Sequence, residues 1–174
     1  MPQVDVTIHY LEMLSPEQLK PRRCDAPAWH VRATPRDPDV NRRFYRAVGR
    51  DWNWTDRLPW TDAEWSAYVD QPGLSTWSAH LGDQPVGYYE LYEQAATGVE
   101  IAYFGLLPGF IGQGLGGAML TDAVERAWSY KPRRVWLHTC SQDHPHALAH
   151  YQARGFVIYK TETQRQETAS RPPD

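Results

Sequence analysis

The sequence has little of several features that would assign it to a particular class of protein. Two cysteines are too few for a disulfide framework, and they do not have the spacing of metal ligands. No apolar run approaches the roughly 20 residues that a helix needs to cross a bilayer, and the first residues lack the basic and then apolar regions of a signal peptide. We therefore expect a soluble, cytoplasmic protein that has no membrane partner.

An excess of positive charge is also missing, since the formal net charge is −3. Without a basic field the chain is not expected to bind nucleic acid. A length of 174 residues suffices for one well-buried core and is short for two. Tryptophan and tyrosine are plentiful, with 8 and 10 copies, and either an aromatic-lined cleft or core packing explains that usage. The composition thus predicts a single domain over 1–174.

Hydrophobic periodicity predicts an α/β (α+β) domain. Alternating apolar residues indicate strands near both ends and a meander of three antiparallel strands in the middle. Helical periodicity indicates four helices, one of which begins at a capping box of Thr61 and Glu64. The predicted order is strand 4–10, strand 29–33, helix 39–49, helix 61–71, strands 75–81, 86–94 and 99–107, helix 115–131, strand 133–139, helix 145–155 and strand 156–162. We expect a mixed, mostly antiparallel sheet flanked by about four helices.

A glycine-rich stretch, PGFIGQGLGGAML at 108–120, stands between the last strand of the meander and the next helix. The first N–H groups of a helix are unpaired and carry partial positive charge, so a glycine turn at this place suits a phosphate. Gly112, Gly114 and Gly117 match the dinucleotide fingerprint, but fewer than 60 residues follow and no acidic residue stands about 20 positions on. No Gly-Lys-Ser/Thr completes a Walker A loop. A turn used only for tight packing is the plain alternative.

The stretch IGQGLGGAML is preceded by a strand with an acidic residue and followed by helix, strand, HALAHYQARGF and strand, and in this order it resembles the GNAT superfamily of acyl-CoA-dependent N-acyltransferases. The family's loop reads Arg/Gln-x-x-Gly-x-Gly/Ala. Gly114 and Gly116 match its glycines, and Ile111 replaces its leading Arg or Gln. The resemblance implies a GNAT-like fold, acetyl-CoA as co-substrate and no metal. It also implies that the loop backbone holds the pyrophosphate, at Gly112, Gln113, Gly114, Leu115, Gly116 and Gly117.

The resemblance further implies how the rest of the donor site is built. The strands at 99–107 and 133–139 would splay near their ends and admit the pantetheine arm, which would pair with backbone at Leu106 and Leu107. His144 stands where the family often has an Asn that contacts this arm. The implied organisation is 1–73 for the first strand and the acceptor-side helices, 74–162 for the acyl-CoA-binding core, and 163–174 for a frayed tail.

Acyl transfer to an amine needs a base for the ammonium and an acid for the leaving thiolate. By resemblance Glu100 is the base, directly or through water; a solvated carboxylate at the start of a strand is the alternative. Tyr151 matches the family's Tyr-x-x-x-Gly-Phe together with Gly155 and Phe156, which implies the acid, or else a tyrosine that packs a helix on the sheet. No base is visibly placed for Cys140, so direct attack without an acyl-enzyme is expected.

In this superfamily the loop between the first helices, here GRDWNWTDRLPW, forms much of the acceptor cleft. Aromatic walls with one anion and one cation would hold an amphoteric amine, with its carboxylate on the arginine. Alternatively the tryptophans pin this connection to the sheet. The candidate residues are Trp52, Trp54, Asp56 and Arg57. Histidines at 138, 144, 146 and 150 are not expected to bind metal, because no carboxylate completes an H-E-x-x-H arrangement.

The sequence thus predicts an N-acetyltransferase that moves an acetyl group from acetyl-CoA to a primary amine, with a small molecule or an amino acid as the favoured acceptor. Two alternatives stay open: a protein N-terminal or lysine acetyltransferase, and a non-catalytic acyl-CoA-binding or sensory domain. Members of the family often dimerise, so the resemblance is compatible with a homodimer.

Overall fold

A computed structural model describes residues 2–168, in which seven strands and four helices follow the predicted order. Local chemistry sets the helix ends: Thr61 Oγ1 accepts a hydrogen bond from Glu64 N at 3.2 Å, and the Glu64 carboxylate accepts one from Thr61 N at 2.7 Å. The elements are β1 (Gln3–Met13), β2 (Trp29–Ala33), α1 (Pro38–Val48), α2 (Asp62–Val69), β3 (Leu74–Leu81), β4 (Gln84–Gln94), β5 (Gly98–Leu106), α3 (Leu115–Ser129), β6 (Val135–Cys140), α4 (Ala147–Ala153) and β7 (Val157–Glu167).

The strands form one mixed sheet in the order β2-β3-β4-β5-β6-β1-β7, in which β5 and β6 are parallel and the other neighbours antiparallel. Successive side chains of β4 serve opposite faces. Tyr88 stacks on Phe44 of α1, whereas Leu91 joins the buried cluster that contains Met119 and Leu120 of α3. Helices α1 and α2 therefore cover one face, and α3 covers the other. This is the predicted single domain.

The predicted splay is present between β5 and β6. Only Val99 with Val135 and Glu100 with Trp136 are in register, and the strands then diverge. The divergence begins at a bulge in β5: Ile101 pairs with Leu91 and Tyr103 with Glu90, which leaves Ala102 as an extra residue. A bulge bends its strand and increases its local twist. The bend carries the second half of β5 away from β6 and opens the sheet.

The first strand is predicted to belong with α1 and α2, which follow it in the sequence. In the structure it lies on the other side of the splay from these helices. β1 is inserted between β6 and β7, with Met13 opposite Val135 and Gln3 opposite Glu167. Its apolar side chains explain the position, because Leu11 and Met13 are fully buried in the same cluster as α3. The chain must then cross α3 to reach β2, and this crossing brings residues 14–28 to the site.

The predicted tail begins too early. Residues 163–167 continue β7, because they pair with residues 3–7 of β1. Residues 169–174 lie outside the described residues. Within 2–168 no helix is both long and apolar enough to cross a membrane.

Candidate active site at the splay between β5 and β6

A cavity of about 570 Å³ opens where β5 and β6 diverge. Its wall combines the second half of β5, the glycine loop, β6, α4 and the loop that follows α1. Pockets of this size hold small-molecule ligands or cofactors. The splay therefore joins the predicted donor loop and the predicted acceptor loop in one cleft.

The glycine loop turns into α3 through two left-handed residues. Gly112 has a φ of +86°, and Gly114, the residue that caps α3, has a φ of +78° with no side chain closing the helix end. Such φ values favour glycine, and the open helix end leaves N–H groups for an anion. Gly112, Gly114, Gly116 and Gly117 line the cavity. The geometry is thus that of a phosphate cradle.

Gln113 and Leu115 are also predicted to hold the pyrophosphate, but their side chains point away from the cavity. Gln113 Nε2 donates to the carbonyl oxygen of Gly109 at 3.1 Å, which closes the loop on itself. The side chain of Leu115 is buried in the core beneath α3. Only the backbone of these two residues is available to a ligand.

The end of β5 offers one free backbone donor rather than two. Leu107 N donates to the carbonyl oxygen of Val86 at 2.8 Å, so this N–H is not available to a pantetheine arm, contrary to the prediction. Successive N–H groups of a strand point to opposite sides, so that of Leu106 is directed into the splay. Leu106 also lines the cavity.

Tyr151 lines the cavity from α4. Its ring lies 6.1 Å from that of Phe104 and 6.3 Å from that of Phe156, both edge-on. Burial raises the pKa of its phenol well above the usual value, so the hydroxyl is protonated at neutral pH. No residue within 2–168 hydrogen-bonds this hydroxyl. It is a free proton donor in the cleft.

Glu100 and His138 meet at the start of the splay. Glu100 Oε1 lies 3.7 Å from His138 Nδ1. Burial raises the pKa of Glu100 to about 7, partly opposed by Arg57, and burial lowers the pKa of His138. His138 lines the cavity, whereas Glu100 lies behind it. Sequence reasoning missed His138, although its position two residues beyond the partner of Glu100 in β6 is the signal that would find it.

Three of the four predicted acceptor residues line the cleft, namely Trp52, Trp54 and Asp56, and Asn53 of the same loop lines it as well. Trp54 packs edge-on against Tyr103 with ring centroids 4.9 Å apart, and Trp52 lies 4.9 Å from the ring of His144. Asp56 is exposed at the rim. The loop therefore gives the cleft aromatic walls and one carboxylate.

Arg57, by contrast, does not line the cleft. It is 7% exposed, and its guanidinium lies 3.3 Å from the fully buried carboxylate of Glu90 and about as close to the rings of Tyr68 and Tyr103, at 3.9 and 4.0 Å. A buried carboxylate requires such a counter-ion. Arg57 is thus placed as the partner of Glu90 in the core, not as a ligand for an acceptor carboxylate.

His144 lines the cavity between the two loops, and its Nδ1 accepts a hydrogen bond from His146 N at 3.0 Å. One ring nitrogen is left for a ligand, where the family's Asn would offer an amide. Across residues 2–168 no three histidine, cysteine or acidic side chains are grouped to hold a metal ion.

Arg22 is a cleft residue that sequence reasoning did not find. It belongs to the segment between β1 and β2, lines the cavity and lies beside Gly114 and Gly117 at the start of α3. No local pattern marks it, because its place depends on the insertion of β1 between two distant strands.

Comparison with known proteins agrees with this architecture. A protein-family model described as the acetyltransferase (GNAT) family matches residues 39–156. An uncharacterized N-acetyltransferase of Mycobacterium tuberculosis is 30% identical over 105 residues, which are 60% of this chain and 67% of the relative. Residues 39–156, which the family model matches, include the glycine loop, α2 and all but the first residue of α1.

Solved structures give the same fold. A GCN5-related N-acetyltransferase from Sphaerobacter thermophilus superposes with a TM-score of 0.68 at 18% identity, over 92% of this chain and 50% of that one. A GCN5-related N-acetyltransferase from Kribbella flavida gives 0.63 at 16% identity, over 97% and 61%. This chain thus spans between half and about three-fifths of those proteins, and at these identities they support the fold alone.

Proposed function

Because this chain belongs to the acetyltransferase (GNAT) family, we propose that it transfers an acetyl group from acetyl-CoA to the primary amine of a small molecule by direct attack. One observation carries the proposal. The opening between β5 and β6 leads to the glycine-rich start of α3, so a single cavity joins phosphate-binding backbone to Tyr151 and His138. The two free cysteines, Cys24 and Cys140, fit a cytoplasmic location, which we also propose.

The residues present fit acetyl-CoA, which when bound supplies an activated thioester carbonyl. The N–H groups of the 112–117 loop would hold its pyrophosphate, since Gly112 and Gly114 adopt the left-handed turn that exposes them. His144 and the N–H of Leu106 would contact the arm. The same N–H, directed into the splay, is the donor that would stabilise negative charge on the carbonyl oxygen.

Glu100 and His138 are proposed to take the proton from the acceptor amine. With Nδ1 facing Glu100, His138 has Nε2 left for the acceptor. The lowered pKa of His138 favours the neutral imidazole, which can accept a proton. The Glu100 carboxylate, ionised above about pH 7, would then stabilise the imidazolium that forms. The glutamate therefore acts through a histidine rather than by itself.

Tyr151 is proposed to protonate the leaving sulfur. Its phenol is held protonated by burial, faces the cavity and has no competing hydrogen-bond partner in the described part of the chain. A positioned acid of this kind contributes about 10²- to 10⁴-fold to a rate. The base comes from β6, one of the two strands that flank the splay, and the acid comes from α4, which also lines the cavity.

The acceptor end of the cleft favours a cationic amine. Trp52 and Trp54 offer ring faces, and Asp56 offers a carboxylate. Among the residues that line the described cavity, no arginine or lysine stands at this end to bind an acceptor carboxylate, because Arg57 is paired with Glu90. An amine that lacks a carboxylate is therefore preferred over a free amino acid.

The test begins with thermal stabilisation by acetyl-CoA against NAD, since a ligand present at 100 times its Kd stabilises the folded state by about 2.7 kcal/mol. Free-thiol release with a panel of amines, diamines and amino acids then reports turnover. We expect acetyl-CoA, and not NAD, to stabilise the folded state, and we expect thiol release with cationic amines. Tyr151→Phe and Glu100→Gln should lose turnover while keeping the affinity for CoA. Binding without thiol release from any amine would favour the acyl-CoA-binding domain instead.

A further inference from the structure

Resting on the proposed acetyl-CoA site, we propose that Arg22 supplies the phosphate-binding cation that the glycine loop lacks. The loop has Ile111 at the position that opens its motif, and this side chain is apolar and 38% exposed. Arg22 reaches the same place from another part of the chain, the segment of residues 14–28 between β1 and β2. We name this segment the strap.

The strap is anchored to both helices beside the cavity. Lys20 N donates to the carbonyl oxygen of Arg154 at the end of α4, at 2.9 Å. Arg22 N donates to Thr121 Oγ1 at 2.9 Å, and this buried hydroxyl donates in turn to the carbonyl oxygen of Gly117 at 2.8 Å. The backbone of Arg22 is therefore fixed to α3, one turn from its start.

The side chain of Arg22 runs along the first turn of α3 towards the cavity. A Cβ placed on Gly117 would lie 2.7 Å from Arg22 Cδ, and one on Gly114 would lie 3.0 Å from Arg22 Nη2. A larger residue does not fit at position 117, because the aliphatic part of Arg22 passes over Gly117. At Gly112, by contrast, a Cβ would meet open space. The guanidinium ends beside Gly114, the residue that caps the helix.

This position indicates an anionic ligand. The start of a helix carries partial positive charge, and the guanidinium beside it adds to that charge, so the two together favour an anion between them. In the described part of the chain no carboxylate pairs with Arg22, while its neighbour Arg23 lies 2.5 Å from Glu125. Arg22 is also the only arginine or lysine among the described residues that line the cavity. A pyrophosphate on the loop would be bound from both sides.

Binding of CoA, measured by titration calorimetry, tests this role. Arg22→Gln removes charged hydrogen bonds to the pyrophosphate, so it should raise the Kd for CoA about tenfold or more. Arg22→Lys keeps an aliphatic chain and the positive charge, so its Kd for CoA should lie between that of the wild type and that of Arg22→Gln. Arg23→Gln is the matched control and should bind as the wild type does. Pantetheine, which has no phosphate, should bind all four proteins alike.

A rescue variant makes the test specific. Ile111→Arg in the Arg22→Gln background returns a cation to the loop and should recover most of the lost affinity. Unchanged affinity for CoA in Arg22→Gln, or equal losses for CoA and pantetheine, would overturn the proposal while the acetyl-CoA site stands. If the wild-type protein does not bind CoA at all, both this proposal and the proposed function fail.

Discussion

Glu100 Oε1 lies 3.7 Å from His138 Nδ1, and of the two side chains only that of His138 lines the cavity. The carboxyl sits at the last paired position before β5 and β6 diverge, with 16% of its side chain exposed. Burial raises the pKa of Glu100 to about 7, whereas the pKa of His138, whose side chain is 47% exposed, is lowered. The carboxylates of Asp143 and Asp56 act on His138 in the opposite direction and raise its pKa.

The pH dependence of turnover follows from this pair. We expect kcat/KM to rise as the pH increases through about 7 and then to level off, because Glu100 loses its proton over this range. Glu100→Gln should lower kcat by about 10²- to 10⁴-fold and remove the inflection near neutral pH. Glu162→Gln, at a partly exposed carboxylate of β7 outside the cleft, is the control. An inflection that persists in Glu100→Gln would assign it to another group.

The effect of Glu100→Gln on stability should also depend on pH. The folded state holds the Glu100 proton more tightly than the unfolded chain does, since the pKa rises from 4.5 to about 7. This stabilisation is complete below about pH 4.5 and is lost as the pH rises through 7. Glu100→Gln should thus leave stability nearly unchanged at low pH and increase it above neutral pH, on the order of 1–3 kcal/mol. Urea unfolding below about pH 4.5 and above pH 7 measures the difference in the free energy of unfolding between the variant and the wild type. The same difference in both ranges would contradict the prediction.

Removing one partner of the buried pair of Glu90 and Arg57 should strongly destabilise the fold. Glu90 also accepts hydrogen bonds from Asn41 Nδ2 and the Tyr68 hydroxyl, each at 2.7 Å. Glu90→Leu leaves the guanidinium buried without a counter-ion and should cost about 3 to 5 kcal/mol of the free energy of unfolding. Adding Arg57→Met should restore much of this loss. Denaturant unfolding of the single and double variants measures the coupling.

The exposed pair of Asp5 and Arg165 is the control for that experiment. Its side chains are 65% and 75% exposed, so Asp5→Asn should change stability little. If the exposed and the buried pair respond alike, burial is not what makes the pair of Glu90 and Arg57 important.

Gly155 should tolerate no side chain, for two reasons. Its φ is +109°, and a Cβ would collide with the carbonyl oxygen of Gln18 in the strap. Gly82 shares only the first feature, with a φ of +58° and open space around it. We expect Gly82→Ala to cost about 1–2 kcal/mol and Gly155→Ala at least about 3 kcal/mol. Thermal unfolding measures the loss of stability in each variant. Similar losses would show that the strap moves to make room for a side chain at position 155.

Most of the fold was predictable from local sequence. Hydrophobic periodicity, the capping box of Thr61 and Glu64 and the turn residues between strands locate every helix and strand, because each acts within a few residues of the backbone that it shapes. The phosphate turn follows from glycines that must adopt positive φ. The predicted splay was also present, although the bulge at Ala102 that opens it has no local signal.

The sequence by itself thus determined the elements, the glycine loop and the position of Tyr151 beside Gly155 and Phe156. Only the tertiary structure placed β1 between β6 and β7, which carries Arg22 over the start of α3. It also buried Arg57 against Glu90 and set His138 in front of Glu100. These relationships join residues from 33 positions apart, for Arg57 and Glu90, to 164 positions apart, for Gln3 and Glu167. They depend on which apolar faces pack together, a choice made by the whole core and not by any short stretch of chain.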